Sequence, residues 1–304
     1  MRSESTGSAS LAGIARESGG LAMVATNHRE SLRRMLRTAG VAEPTDQTLL
    51  EVKLDVASAL GPFASGFLID REIGFEQVRA QQLLPASTGL ILSTDVLVQR
   101  TTASVDDLDL DAVFGASVLD LSGVSALELV VTWRRDDQRP ARIELVRRFA
   151  ELTAEHQVLS VLKVVVRPND DELDDGTWDA DAAVREAAIE LSVVGQSLYT
   201  VQVPLGGAQL GQELDEACHL LGESITGPWV VVSDGVAIDS FPDAVTSACR
   251  AGASGFLAGQ ALWADVIGRE DLRLALHEVS VPRLRRLSQI VDEHARPWAV
   301  AVPS

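Results

Sequence analysis

The sequence predicts an α/β fold, a single-domain (β/α)8 TIM barrel, and three observations support this prediction. Short apolar runs alternate with amphipathic stretches along the whole chain. The apolar runs are continuous, which is typical of parallel strands covered by helices on both faces. Eight β–α units also fit a chain of 304 residues. A doubly wound open sheet is the main alternative, and the lack of a glycine-rich phosphate loop after the first strand disfavours it.

Eight segments have the composition of buried strands, being rich in aliphatic and β-branched residues. The predicted strands are 21–27, 63–70, 89–94, 126–134, 160–167, 197–205, 229–236 and 253–260. Apolar residues three and four apart predict helices over 29–40, 141–156 and 179–195. The dense acidic segment 169–183 is interpreted as a solvated loop that leads into a helix.

Composition limits the partners and the compartment. A net charge of −18 argues against nucleic acid or an anionic membrane, and it disfavours anionic substrates unless a local site overrides it. The apolar runs are too short to span a bilayer and no signal peptide is evident, so a cytoplasmic protein is expected. Residues 1–10 are predicted to form a disordered tail, and residues 11–304 the barrel. No cofactor is predicted, and because no histidine pair has ligand spacing, no metal either.

Lysine usage points to one strand. The chain has two lysines, and Lys163 lies at the centre of the predicted fifth strand, SVLKVVVR. Because alternate residues of a barrel strand face inward, Glu128 and Lys163 are predicted to face the interior as opposite charges. Burial can make Lys163 a neutral nucleophile that forms a Schiff base, or Glu128 can hold it charged in an ion pair. Lys53 lies in a helical pattern and is interpreted as a solvated or snorkelling lysine.

Several longer motifs are spread over residues 11–294: ARESGGLAM, GPFASGFLID, VTWR, VVVRP, GPWVVVSDGV, AGASGFLAG and IVDE. In order and spacing they resemble the Schiff-base aldolases of the tagatose bisphosphate and sulfofructose phosphate group, and most closely the sulfofructose phosphate enzymes. The resemblance implies a (β/α)8 barrel, a homo-oligomer and cleavage of a phosphorylated ketose. The products would be dihydroxyacetone phosphate and an aldehyde, and the nucleophile a lysine on the sixth strand.

The first and sixth strands depart from the pattern that the resemblance implies. The family's Tyr-Lys-Val-Glu-x-Pro-Leu is YTVQVPL here, so Thr200 stands at the lysine position and Gln202 replaces a glutamate. The family's Asp-Gln-Arg-Glu is NHRE here, so Asn27 and His28 replace an acid and an amide. A threonine hydroxyl cannot form an imine, and the lost acids are groups that transfer protons.

Three further departures concern charge. Relatives carry a lysine where Glu128 stands and a glutamate where Lys163 stands, so the change inverts an ion pair. Gln260 replaces an arginine that helps to hold an anionic group, which removes a charge-assisted contact. The acidic loop after the fifth strand would also repel a dianionic ligand.

An anion site is nevertheless predicted at the ends of the strands. Small residues after the seventh and eighth strands would let backbone N–H groups hold a phosphate, although tight turns also explain them. These residues are Ser233, Gly235, Gly255 and Gly259. Three arginines at strand ends, Arg29, Arg134 and Arg167, would contact an anion or pair with acids such as Asp70 and Asp136.

The sequence leaves three functions open, all of them involving a small sugar or sugar phosphate. The first is a barrel that has lost Schiff-base chemistry but keeps a binding pocket or a partner surface. The second is a working lyase in which Lys163 is a relocated nucleophile and His28 an acid or base. The third is a reaction without a covalent intermediate, on a less anionic sugar, that uses His28, Glu128 and Lys163.

Overall fold

A computed structural model describes residues 10–98, 107–110, 120–209 and 211–300. The strands in these residues are β1 (Leu21–Ala25), β2 (Gly66–Asp70), β3 (Gly89–Ser93), β4 (Asp95–Val98), β5 (Asp107–Leu110), β6 (Val124–Trp133), β7 (Leu159–Val166), β8 (Leu198–Gln202), β9 (Trp229–Val232) and β10 (Gly255–Ala258). Eight of them close into a barrel in the order β1–β2–β3–β6–β7–β8–β9–β10, and β10 returns to β1. Every pair in the barrel is parallel, whereas β4 and β5 form a separate antiparallel hairpin.

Helices connect the strands of the barrel. They are α1 (Glu30–Thr38), α2 (Asp46–Leu60), α3 (Phe75–Ala80), α4 (Arg139–Glu155), α5 (Asp170–Asp174), α6 (Ala180–Leu191), α7 (Gln212–Ser224), α8 (Phe241–Arg250), α9 (Gln260–Trp263), α10 (Leu272–Ala275) and α11 (Val281–His294). Short 3-10 turns at 11–14, 61–63, 204–207, 264–266 and 298–300 and a π turn at 276–280 complete the described secondary structure.

The predicted fold class is confirmed, and each of the eight predicted strands overlaps one barrel strand. Most predicted strands ran too far at their carboxyl ends, because polar and glycine residues there leave the sheet. The interpretation of 169–183 as a loop was wrong in part, since it contains α5. Asn169 and Glu172 cap this helix reciprocally, and its first turn is acidic, which favours a helix start. Residues 1–9 of the predicted tail lie outside the described residues.

The core has two layers, separated by the barrel wall. The outer layer packs the sheet against the helices and includes Phe67, Val131 and Tyr199. The inner layer is a smaller cluster from alternate strand positions, and Leu11 and Ile14 of the first 3-10 turn join it. Its strand residues are Leu21, Met23, Ala25, Leu68, Ile91, Ala126, Leu159, Val161, Leu198, Val230, Val232 and Leu257. The barrel is therefore filled by side chains rather than open.

Gly255 is required where the barrel closes. Its φ is +145°, and a Cβ atom there would lie 1.8 Å from the carbonyl oxygen of Leu21 on β1. Gly255 is also the first residue of β10, so it lies at the amino end of the strand. The interpretation of Gly255 as part of a phosphate site was therefore wrong, because that site was expected at the carboxyl ends.

The interpretation of Lys53 as a solvated or snorkelling lysine was also wrong. Lys53 on α2 is 1% exposed, and its Nζ donates to Oδ2 of Asp70 at the end of β2. Oδ1 of Asp70 accepts a hydrogen bond from the backbone N–H of Ile73 at 2.9 Å. Burial lowers the pKa of Lys53, although the carboxylate of Asp70 opposes that shift. The pair is a buried ion pair that joins a helix to the barrel.

We expect Lys53→Met to lower the free energy of unfolding by about 3–5 kcal/mol, because it leaves the buried carboxylate of Asp70 without its cation. Chemical denaturation measured by circular dichroism tests this. The matched control is Lys53→Met combined with Asp70→Asn, which removes the charge but keeps an oxygen for the Ile73 N–H. The double variant should recover most of the loss, and a double variant as unstable as the single one would contradict the explanation.

Candidate active site

The inner cluster gives way to polar and small residues at one level near the carboxyl ends of the strands. In each strand, the next inward-facing position lies two residues beyond the last apolar residue of the inner cluster, and it holds a polar residue, a charged residue or glycine. These positions are Asn27, Asp70, Ser93, Glu128, Lys163, Thr200, Asp234 and Gly259. Active sites of (β/α)8 barrels lie at this end, so the layer marks the candidate site.

Lys163 lies within this layer on β7, where its Cα is paired with that of Thr200 on β8. Its Nζ donates to Oδ2 of Asp234 at 2.5 Å. The Lys163 side chain is 16% exposed and that of Asp234 is 44% exposed. The amine is thus largely enclosed but still open to a small molecule from the carboxyl end of the barrel.

Asp234 lies just after Ser233, beyond the end of β9. Burial works against its ionisation, but the charge and the hydrogen bond of Lys163 outweigh burial and lower the pKa of Asp234. The charge of Arg167 acts in the same direction. Asp234 is therefore a carboxylate near neutral pH, in contact with the only lysine on a barrel strand.

His28 follows β1 and lies close enough to the Lys163–Asp234 pair for their charges to act on it. Burial is the largest cause that lowers the pKa of His28 to about 4; Asp234 opposes the shift, and Lys163 and Lys53 add to it. The ring meets Trp263 edge-on, with centroids 5.3 Å apart and planes at 84°. Its buried Nδ1 has no hydrogen-bond partner among the described residues. His28 is thus a neutral imidazole at pH 7.

Gly259 makes room for this ring. A Cβ atom at Gly259 would lie 2.5 Å from Cε1 of His28 and 3.1 Å from the carbonyl oxygen of Ala25. The backbone N–H of Gly259 donates to Oγ of Ser233 at 3.2 Å. Two residues predicted to hold a phosphate therefore bond to each other, and one of them also packs against His28.

Glu128 on β6 is fully buried, at 0% exposure. Its Oε2 accepts hydrogen bonds from Nδ2 of Asn27 at 3.1 Å and from Oγ of Ser93 at 3.5 Å. In the register of the sheet Glu128 is opposite Val161, whereas Lys163 is opposite Val130. The two charges are thus offset by two residues along neighbouring strands, and an ion pair between them stays a prediction.

Thr200 and Gln202 both bond to the backbone of β7. Thr200 is 0% exposed, and its Oγ1 donates to the carbonyl oxygen of Leu162 at 3.3 Å. Oε1 of Gln202 accepts from the N–H of Val166 at 3.1 Å. A buried hydroxyl that is bonded to the backbone cannot form an imine in place of an amine, and both side chains hold β8 against β7.

The three arginines at strand ends differ in what they contact. Nη1 of Arg29 donates to Glu72. Arg134 is buried at 8% exposure, and its charge helps to lower the pKa of Asp136. Arg167 is exposed and donates through Nη1 to the carbonyl oxygen of Val166 at 3.1 Å. Among the described residues Arg167 makes no ion pair, so it is the arginine of this set best placed to meet an anionic ligand.

Each of the two acids predicted as alternative partners of these arginines binds another cation. Asp70 pairs with Lys53. Asp136 forms a two-point ion pair with Arg142, at 2.5 and 2.8 Å. Of the remaining predicted anion-site residues, Gly235 turns the loop after β9 with φ +80°, and Gln260 begins the short helix α9.

The sequence analysis missed Asp234, although it singled out both of its neighbours, Ser233 and Gly235. The signal was available in strand parity. Val230 and Val232 face the barrel interior, and the same alternation reaches Asp234. The residue was overlooked because Glu128 already offered a counter-charge for Lys163.

The site thus joins a lysine amine, a carboxylate and a neutral imidazole in one partly enclosed space. An amine of this kind can attack a carbonyl carbon once it loses its proton, and the other two groups can accept and return protons. The described residues contain no cluster of three or more histidine, cysteine or acidic side chains placed to hold a metal ion. None of the helices in the described ranges has both the length and the hydropathy that crossing a bilayer requires.

The protein is a (β/α)8 barrel whose candidate site lies at the carboxyl ends of the strands, where enzymes of this fold have their active sites. The chain belongs to the DeoC/LacD family aldolases, whose pattern it matches over residues 21–265. It is 25% identical over 313 residues to tagatose 1,6-diphosphate aldolase 2 of Streptococcus agalactiae, covering 93% of this chain and 94% of that protein. It is 26% identical over 314 residues to tagatose 1,6-diphosphate aldolase 1 of Streptococcus pyogenes, covering 92% and 94%.

Solved structures share the fold at lower identity. An archaeal fructose-1,6-bisphosphate aldolase, with its catalytic lysine bound to a carbinolamine intermediate, superposes with a TM-score of 0.58 at 14% identity, over 93% of this chain and 98% of that one. A fructose-bisphosphate aldolase from Slackia heliotrinireducens also has a TM-score of 0.58 at 14% identity, over 93% and 88%. At this identity, both comparisons show a shared fold only.

The lowered pKa of His28 predicts a pH dependence of stability. The pKa is about 4 in the folded protein and 6.5 for an ordinary histidine, so the unfolded chain binds more protons between these values. The contribution of His28 to the free energy of unfolding should therefore be fully present above about pH 7. It should fall by about 2–3 kcal/mol as the pH drops towards 4.

Urea unfolding at pH 7.5 and pH 4.5 tests this prediction, with His28→Gln as the reference. The difference between the two proteins isolates the histidine from the many carboxylates that titrate in the same range. We expect the wild-type protein to lose about 2 kcal/mol more than the variant. An equal loss in both would show that His28 is not held neutral by burial.

Proposed function

We propose that this protein is a carbon–carbon lyase that forms its Schiff base through Lys163. The observation that carries the proposal is the place of this amine. Lys163 stands on a barrel strand at the catalytic end, it is partly open, and its Cα is paired with that of Thr200, the position where the resemblance puts the family's lysine. A move of the nucleophile by one strand keeps it in the same space.

Lys53, the other lysine, is a poor nucleophile by the same criteria. It is 1% exposed and bound to Asp70, so a carbonyl compound has no access to its amine. Arginine cannot form an imine under these conditions because its guanidinium stays protonated. If the chain makes a Schiff base with a side chain, Lys163 is the group that can do so.

The steps follow from the three groups at the site. The ammonium of Lys163 gives a proton to a neighbouring base, and its nitrogen attacks the ketone carbon to give a carbinolamine. Loss of water then gives an iminium ion. A base removes the proton of the hydroxyl on the far carbon of the bond to be broken, which is the second carbon from the iminium carbon. That carbon–carbon bond then cleaves, its electrons pass to the enamine, and an aldehyde leaves. The resulting enamine takes up a proton, and water releases the ketone product and the free amine.

Asp234 and His28 are the groups that serve these proton transfers. Asp234 is in contact with the Lys163 amine and is ionised, so it can hold the proton as the amine becomes neutral. His28 is neutral and its Nδ1 has no partner among the described residues, so it can accept a proton from a substrate hydroxyl. Both have environments that differ from those of ordinary surface residues, as acid–base groups of enzymes do.

The substrate class that fits is a phosphorylated ketose. The curated relatives are named for tagatose 1,6-diphosphate. Arg167 offers one cation at the end of β7, whereas Gln260 and the acidic α5 offer none. This balance favours a ketose with one anionic group over a bisphosphate. A sulfonated ketose phosphate also carries two anionic groups and is compared with the bisphosphate.

A second function has its own support. The carboxylate of Asp234 stabilises the charged form of Lys163, and a charged amine is not a nucleophile. On that ground the barrel would bind a sugar phosphate without cleaving it, or serve as a subunit beside an active partner. Location in the cytoplasm and assembly into a homo-oligomer are proposals that rest on composition and on the resemblance.

Borohydride trapping tests the lyase directly. The protein is incubated with tagatose 1,6-diphosphate, a ketohexose monophosphate, a sulfonated ketose phosphate or dihydroxyacetone phosphate, then reduced and mapped by peptide mass spectrometry. We expect a stable adduct on Lys163 with at least one of these compounds and none on Lys53. Since the chain has only two lysines, assignment of the adduct is unambiguous.

Lys163→Arg is the matched control, because it keeps a cation for Asp234 but cannot form an imine. Adduct formation and cleavage should both disappear in this variant, while Lys53→Arg should keep them. Binding of the sugars without any adduct would contradict the proposed lyase activity and favour the non-catalytic barrel. Cleavage that survives Lys163→Arg would instead indicate a reaction without a covalent intermediate.

A further inference from the structure

A second cavity lies at the opposite end of the barrel from Lys163. It has a volume of about 730 Å³, within the range of known ligand sites. Its walls are residues 15–18 before β1, residues 62–65 before β2, Ser87 before β3, and one face of α11. Because these segments precede their strands, the cavity is at the amino end, away from the candidate active site.

Arg285 and Phe63 form one side of this cavity. The guanidinium of Arg285 lies over the ring of Phe63, 4.4 Å from its centroid. Such stacking holds the guanidinium plane in place and leaves its edge N–H groups free for a planar anion. Within the described residues no carboxylate pairs with Arg285, so its charge is available to a ligand.

Ser288 also lines this cavity. It is one turn after Arg285 on the same face of α11 and is 5% exposed. Its buried Oγ has no hydrogen-bond partner among the described residues. Its hydroxyl is closed to solvent, so Ser288 forms part of the cavity wall and offers no hydrogen bond to a ligand.

The acidic group on the third side is already compensated. Asp292 accepts hydrogen bonds from Nε and Nη2 of Arg16 at 2.8 and 2.7 Å. It also accepts one from Oγ of Ser18 at 2.6 Å. Among the described residues that line the cavity, Arg285 is therefore the cation without a carboxylate partner. The exposed Glu17 at the rim adds one negative charge that disfavours a dianion.

We propose that this cavity binds a small polyhydroxylated carboxylate, such as a sugar acid. The flat carboxylate matches the two-point geometry of Arg285. The hydroxyl groups match Ser87 and the amide of Gln289, which are exposed and also line the cavity. Carbon–hydrogen faces of the ligand pack on Phe63. The site is separate from the lyase chemistry and does not depend on it.

Calorimetric titration and hydrogen–deuterium exchange of the whole protein test the proposal, with gluconate, glucuronate and glycerate as probes. Glucose and glucose 6-phosphate are the neutral and the dianionic comparisons. We expect at least one carboxylate to bind and to protect peptides of α11 and of residues 15–18. Arg285→Ala should weaken that binding about tenfold or more, since a charged hydrogen bond is worth at least about 1.5 kcal/mol.

Arg286→Ala is the matched control, because Arg286 is the next residue of α11, is exposed and does not line the cavity; it should leave binding unchanged. Four results would each overturn the proposal: no protection of α11 by any carboxylate, protection only at the carboxyl ends of the strands, equal binding by Arg285→Ala, or equal protection by glucose 6-phosphate.

Discussion

A buried ammonium group has to be compensated by a nearby carboxylate, because burial of an uncompensated charge costs several kcal/mol. Lys163 meets this condition through Asp234, and Lys53 meets it through Asp70. Both carboxylates occupy the level at which the barrel interior changes from apolar to polar. Packing of the apolar layer holds the strands in place. In the layer above it, each ammonium group is stable only because it is paired with a carboxylate.

The same layer decides what chemistry is available. Trp263 and Gly259 enclose the ring of His28, so burial keeps it neutral beside an ionised carboxylate. Thr200 is bonded to the backbone and leaves the amine of Lys163 as the group that can attack a carbonyl. Under the proposal that Lys163 is the nucleophile, the barrel keeps the position of its reaction while the residue that carries it changes strand.

Strand parity made much of this predictable from the sequence. Continuous apolar runs predicted the eight strands, and alternation placed Glu128, Lys163 and Thr200 on one set of positions. Asp234 was missed because Glu128 already offered a counter-charge for Lys163. The Lys53–Asp70 pair was missed because a helix-to-strand contact leaves no mark in local periodicity. The extra helix α5 was missed because charge suggested solvent, although Asn169 and Glu172 form a cap. The contacts of the arginines were least predictable, because the partner of each arginine depends on which of several acids the fold brings close to it.

The most direct test of the central role of Lys163 is a ¹³C NMR spectrum of protein labelled at lysine Cε. Two lysines give two signals, and Lys163→Arg and Lys53→Arg assign them. On addition of dihydroxyacetone phosphate or a ketose phosphate, the account predicts that the Lys163 signal is replaced by that of an imine carbon while the Lys53 signal stays in place. A Lys163 signal that does not change while the sugar phosphate binds, or an imine signal from Lys53, would contradict it.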